Sequence, residues 1–157
     1  MSASDVVKFC EYLGRLEQNR GTNALGFIPR TKLEHYHRRG QVLVATENGD
    51  LCGMLIHGTG RNGIMRIHQA AVEYDARRIH HGLGLVEQLA IKATAAGCHV
   101  IRLRCADDLP SNAFWLAAGF FRYGQTLGGK RRGRLINLYE RVLDCPRLFL
   151  PPDEENE

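Results

Sequence analysis

The stretch Arg77-Arg78-Ile79-His80-His81-Gly82-Leu83-Gly84 constrains this chain more than any other. It follows an apolar run, Ile64-Met65-Arg66-Ile67-His68-Gln69-Ala70-Ala71-Val72, and leads into Leu85-Val86-Glu87-Gln88-Leu89-Ala90-Ile91-Lys92-Ala93. The first run reads as a strand. In the last, Leu85, Leu89 and Ala93 make one helical stripe with Val86 and Ala90 alongside. A strand, a basic glycine-containing turn and a helix together make a place to hold phosphates. The free N–H groups and dipole at a helix start favour an anion, and glycine lets the backbone approach it. Arg77 and Arg78 add charge. No Walker-type Gly-Lys-Ser/Thr is present and the glycines lack Rossmann spacing, so a nucleotide site of another sort is the last reading.

The rest of the chain supplies a compatible set of elements. Ser4 or Asp5 can cap a helix to about Gln18, with Val6, Val7, Cys10, Leu13 and Leu16 apolar. A turn at Phe27-Ile28-Pro29 precedes a short helix over 30–39 that ends at Gly40. Strands are expected over 41–46 and 51–57, joined by a hairpin at Glu47-Asn48-Gly49-Asp50, and then up to Val72. The helix after the basic turn is expected from Leu83 to Gly97, followed by a strand over 99–105. A short helix ends at Gly119, and strands over 120–127 and 134–143 close the fold. This order is α+β with a central parallel junction. Residues 1–145 read as one domain, and 146–157 as an appendage with an acidic, disordered end.

Through this turn and the elements around it, the chain resembles the GNAT N-acetyltransferase superfamily from about Val6 to Val142. That family's pyrophosphate loop reads Arg or Gln, two residues, Gly, one residue, then Gly or Ala. Arg77 takes the first position and Gly82 the last, and His80 stands at the middle glycine. Leu85, Val86 and Leu89 match the apolar positions of the helix that follows. Ser111-Asn112-Ala113-Phe114-Trp115-Leu116-Ala117-Ala118-Gly119-Phe120 resembles the family's aromatic segment before Gly-Phe. The resemblance implies a mixed central sheet with splayed parallel strands, flanked by helices. The strand usual at the front of that fold is not visible.

The same resemblance implies acetyl-CoA, or another acyl-CoA, as co-substrate. Ala70, Ala71 and Val72 would meet the pantetheine through their backbones. Arg77, Arg78, Ile79, His80, His81, Gly82 and Leu83 would hold the pyrophosphate, with Arg78 alternatively facing the adenosine phosphate or solvent. The His80 ring either points outward or bonds a phosphate itself; a loop that no longer binds CoA is the third reading. Asn112 either bonds the pantetheine or caps its helix. Trp115 takes the position where many members carry a tyrosine that protonates the leaving thiolate. Indole has no such proton to give, so Trp115 is a catalytic-position residue that either packs or leaves the proton to water or another group.

Acetyl transfer to an amine needs a neutral nucleophile and a base to take its proton. His57, His68, Glu73, Asp107 and Asp108 are candidates, and His68 is the choice. Strand alternation puts Arg66 and His68 on one face, and Arg102 and Arg104 together on another strand. If those faces share a cleft, Arg66, Arg102 and Arg104 line an acceptor groove suited to an anion, with Gln69 pointing the opposite way. Arg132, in the run Lys130-Arg131-Arg132-Gly133-Arg134, would border that groove; the alternative for this loop is a solvated basic face.

Composition bounds these readings. The chain has 157 residues and a net charge of +4, with an acidic tail offsetting a more basic body. Such basic patches bind CoA phosphates, nucleic acid or acidic protein. No apolar run approaches membrane-spanning length and no signal-like N-terminus is seen, so a cytoplasmic enzyme without membrane contact is expected. The five cysteines contain no CxxC pair, so reduced thiols and no metal site are expected. The reading is an N-acyltransferase, monomeric or homodimeric, that transfers acetyl from acetyl-CoA by direct attack of an unknown amine; the acceptor is anionic (nucleic acid or an acidic molecule) or, equally, a small-molecule or protein amine. The alternative is a non-catalytic acyl-CoA or nucleic-acid binding module on the same scaffold.

Overall fold

The computed structural model describes residues 2–19, 28–73, 78–128 and 133–144. The elements run α1 (Ala3–Asn19), α2 (Arg30–Arg38), β1 (Val42–Glu47), β2 (Asp50–His57), β3 (Ile64–Val72), α3 (Arg78–Ala95), β4 (Val100–Ala106), α4 (Ser111–Ala117), β5 (Phe121–Leu127) and β6 (Leu135–Val142). Among the described residues no strand precedes α1. The cap of α1 is Ser2, not Ser4 or Asp5. Asp5 N donates to Ser2 Oγ at 3.2 Å, and Ser2 N donates back to Asp5 Oδ2 at 3.2 Å, a reciprocal capping box.

The strands form one sheet in the order β1-β2-β3-β4-β6-β5. Asn48 and Gly49 both take positive φ, 52° and 86°, which closes the β1–β2 hairpin as the Asn-Gly pair predicts. All neighbours are antiparallel except β3 and β4. Those two are parallel and pair only over Ile64–Arg66 with Val100–Arg102. Beyond that point β3 runs on to Val72 and β4 to Ala106 without each other, so the sheet is split along its middle.

Two cores lie on opposite faces. Val6, Val7, Cys10 and Leu13 of α1, with Leu33 of α2, bury Met54 and Ile56 of β2. Leu85, Val86, Leu89 and Ala93 of α3 pack with Trp115 and Phe120 on Met65, Ile67, Ile101 and Leu103. No described helix is long and apolar enough to cross a membrane. Among the described residues no group of His, Cys, Asp and Glu could hold a metal ion. Cys10, Cys52, Cys98 and Cys105 are buried.

The main departure from the sequence expectation is the start of α3. It begins at Arg78, so the His80-His81-Gly82 segment is helix rather than loop. The glycine there serves packing: a Cβ on Gly82 would fall 2.8 Å from Phe114 Cε2, so α3 and α4 approach closely only without it. Helical glycines cost about 1 kcal/mol each against alanine, a penalty that burial of the Leu85–Leu89 stripe outweighs.

Candidate active site

A cavity of about 530 Å³ opens where β3 and β4 part. Ile67 to Val72 form one wall, and Leu103 to Ala106 the other. Gly82 and Leu85 of α3, Phe114 and Trp115 of α4, and Arg134 and Ile136 complete it. On its outer edge β3 pairs with β2, Leu55 with Ala70, Met54 with Ala71 and Gly53 with Val72. No described strand pairs with the inner edge from Ile67 onward. A hydrogen-bonding backbone edge thus runs along a half-apolar slot, with the small side chains of Ala70 and Ala71 leaving room beside it. Such an edge accepts an extended amide-bearing ligand as a strand would.

Of the residues expected at the phosphates, Arg77 lies outside the described residues, as does Arg132 of the basic loop. Arg78 and Ile79 open α3, one turn before Gly82 reaches the cavity, so the first N–H groups of α3 lack helical partners there. His80 is exposed and Leu83 packs against the core. His81 turns to the sheet instead: its Nε2 is buried 3.5 Å from Glu47 Oε2, without a hydrogen bond.

Asn112 neither caps α4 nor has polar capacity left for a ligand. Its Nδ2 donates to the carbonyls of Ala106 (2.8 Å), Leu109 (2.7 Å) and Asp107 (3.3 Å). Its Oδ1 accepts from Asn137 Nδ2 and Tyr139 OH, both at 2.8 Å. Asn137, itself buried, also donates to Asp107 Oδ1 and accepts from Gln125 Nε2. This network ties the end of β4 and the start of α4 to β6. The sequence did contain its signal: Asn137 is a polar residue between Ile136 and Leu138, sharing a strand face with Tyr139.

Trp115 is buried against two rings, Phe114 at 4.9 Å and Phe120 at 5.5 Å, both edge-to-face. Beside it in the wall, Cys105 Sγ lies 3.3 Å from Ser111 Oγ, and burial pushes the Cys105 thiol up from its usual pKa.

His68 sits at a bulge. Ile56 pairs with Gln69 and His57 with Ile67, so His68 is an extra residue on β3. The bulge breaks the alternation assumed from sequence, and Gln69 lines the cavity together with His68. The His68 ring packs 5.6 Å from that of Tyr36 and over Gly58, where a Cβ would be 3.5 Å from Nε2. Partial burial, then the Lys32 and Arg66 charges, lower its pKa below the ordinary 6.5. His57 is occupied elsewhere: Nδ1 lies 2.7 Å from Gly58 O and Nε2 3.1 Å from Lys92 Nζ. Glu73 is outside the cavity lining, while Asp108 pairs with Arg134 at 3.2 Å.

Of the arginines expected at an acceptor groove, Arg104 lines the cavity, whereas Arg66 and Arg102 are outside its lining. Arg66 and Arg102 are register partners across β3 and β4. Arg102 is neutralised by Glu140 at 3.0 Å and covers the Tyr123 ring at 5.2 Å. Arg66 and Arg104 are exposed, and Arg104 reaches the cavity wall. Arg134, at the end of the basic run, lines it too.

Comparison with known proteins agrees with this geometry. A family model described as the acetyltransferase (GNAT) family matches residues 11–120. No curated protein sequence matches. Among solved structures, the ribosomal-protein-alanine N-acetyltransferase of Brucella melitensis superposes with a TM-score of 0.69 at 22% identity, covering 91% of this chain and 97% of that one. Ard1 from Thermoplasma volcanium gives 0.72 at 19% identity, covering 91% and 94%. The aminoglycoside 6′-N-acetyltransferase of Enterococcus faecium gives 0.67 at 13%, covering 90% and 91%. At these identities the likeness is one of fold.

Proposed function

We propose, of a chain that belongs to the GNAT acetyltransferase family, that it moves an acetyl group from acetyl-CoA to an amine by direct attack. The observation that carries this reading is the divergence of β3 and β4 past Arg66, which leaves the Ala70–Val72 edge without a strand partner along the 530 Å³ cavity. The residues present fit the co-substrate. The β3 edge suits pantetheine amides, the start of α3 suits the pyrophosphate, and Trp115 and Phe114 supply an apolar wall. Asn112 takes no part through its side chain.

Acetyl-CoA supplies the acetyl group as an activated thioester. The chain's part is to align the amine, accept its proton and exclude water. His68 takes the proton: its lowered pKa keeps the imidazole neutral at pH 7 and above, and it lines the cavity. Backbone N–H groups near Ala71 and Val72 polarise the carbonyl. As the C–N bond forms and the C–S bond breaks, the amine gives up one proton and the CoA thiolate gains one. Trp115 has no such proton to give, so the thiolate takes one from solvent while His68 returns the amine's proton to solvent, which closes the balance. The similar folds carry names that specify ribosomal-protein alanine and the aminoglycoside 6′ position, so amines of very different size support the reaction class without selecting an acceptor.

The test is calorimetric titration with acetyl-CoA, followed by thiol release across a panel of primary amines. Saturable binding and amine-dependent release support the reading. Absence of acetyl-CoA binding overturns it, and binding without release on any amine favours a non-catalytic acyl-CoA module.

A further inference from the structure

The face of the sheet that carries Arg66, His68 and Arg104 is not covered by α3 or α4, and three cations stand on it without carboxylate partners among the described residues. Lys32 projects from α2, with its Nζ 5.9 Å from the Tyr36 ring, which in turn packs on His68. Arg66 comes from β3 and Arg104 from β4, both exposed. The carboxylates nearby are already engaged, Glu140 by Arg102 and Asp108 by Arg134. The result is positive potential spread over three elements, with Arg104 in the cavity wall and Lys32 and Arg66 acting on His68, which lines it, rather than one tight cluster.

We infer that the acceptor is the amine of an acidic polypeptide segment, lying across this face with its carboxylates over Lys32, Arg66 and Arg104. The inference rests on the acetyl-transfer reading above. Spacing favours an extended peptide. Arg66 is the register partner of Arg102, and Arg104 is two residues further along β4, so the two unpaired arginines stand on neighbouring strands, a span that an extended chain with spaced charges can cross. A small acid at any one cation leaves the other two unmatched. Surface charges of this kind act on capture and selectivity, so the effect belongs in KM.

The experiment compares the full chain with acetyl-CoA on three peptides that share a free α-amine and differ only in carrying Glu, Gln or Lys at the next three positions. Free glutamate and a 5′-amino single-stranded oligonucleotide form the other arms. The expected kcat/KM for the Glu peptide exceeds that for the Lys peptide by about tenfold, as three solvent-exposed charge pairs would give, and the difference shrinks as salt rises. The double variant Arg66→Glu, Arg104→Glu brings that ratio to one or below, through KM. Lys32→Glu, on an exposed helix face, moves it the same way by less and serves if the double variant melts early. Equal rates on the three peptides, a preference for Lys, or faster acetylation of free glutamate or the oligonucleotide overturns the inference while leaving acetyl transfer intact. Failure to bind acetyl-CoA or to acetylate any arm overturns both.

Discussion

Trp115 takes the position at which the resemblance implies a tyrosine hydroxyl, and its surroundings favour packing in its place. Phe114 and Phe120 meet its ring edge-to-face, an arrangement worth more than the buried area alone. Trp115→Phe keeps two of three rings in register and is expected to leave kcat within about threefold of the parent, since no proton transfer is lost. Trp115→Ala empties a site between α4 and the sheet and should cost about 3–5 kcal/mol in urea unfolding. A hundredfold loss of kcat in a well-folded Trp115→Phe protein would mean that the indole N–H acts in the reaction. His68 carries a second expectation. Because its burial and the Lys32 and Arg66 charges disfavour the imidazolium, the group protonates only below its ordinary pKa of 6.5. The acid limb of kcat/KM is therefore expected below pH 6.5, and His68→Gln should lower the plateau and remove that limb. A limb that survives in His68→Gln assigns the base to another group.

Between elements, the junction of β2, α2 and α3 holds a polar cluster with a definite pH signature. Buried His57 faces Lys92 Nζ, and Lys92 also reaches the Gly40 carbonyl beyond α2. Burial first, then the Lys92 charge and that of His68, lower the His57 pKa below 6.5 despite the Gly58 carbonyl, which raises it. A histidine depressed in the folded state binds its proton more readily when unfolded. The stability it contributes is full above about pH 6.5 and is lost as pH falls through the folded pKa. The urea midpoint should stay level from pH 8 to 7 and decline below 6.5, and His57→Gln should flatten that decline; an equal slope in the variant removes His57 as its cause. The same junction shows what a sequence can and cannot tell. The Asn48-Gly49 turn, the β3 run and the α3 stripe were legible because each is a local pattern. The start of α3 was not, because Gly82 reads as a turn residue until Phe114 is brought against it. The bulge at His68 was likewise hidden, since it depends on which strand lies alongside; Asn137 was legible as a polar residue between Ile136 and Leu138, but its pairing with Asn112 was not.

At the scale of the molecule, the divided sheet is the property that joins fold to reaction. β1, β2 and β3 with α1 and α2 form one half, and β4, β6 and β5 form the other. Three register pairs and the packing of α3 and α4 hold them together around the cavity. A ligand that bonds the Ala70–Val72 edge takes the place of the missing strand pairing and should stabilise the whole chain, not one loop. Acetyl-CoA at a hundred times its Kd adds about 2.7 kcal/mol to a two-state fold. Amide exchange should then slow throughout, with the largest added protection at the inner edge of β3 over 70–72 and at the start of α3 from Arg78. Protection confined to the exposed face around Arg66 and Arg104, with no change at 70–72, would place the co-substrate outside the split and separate the cavity from the chemistry assigned to it.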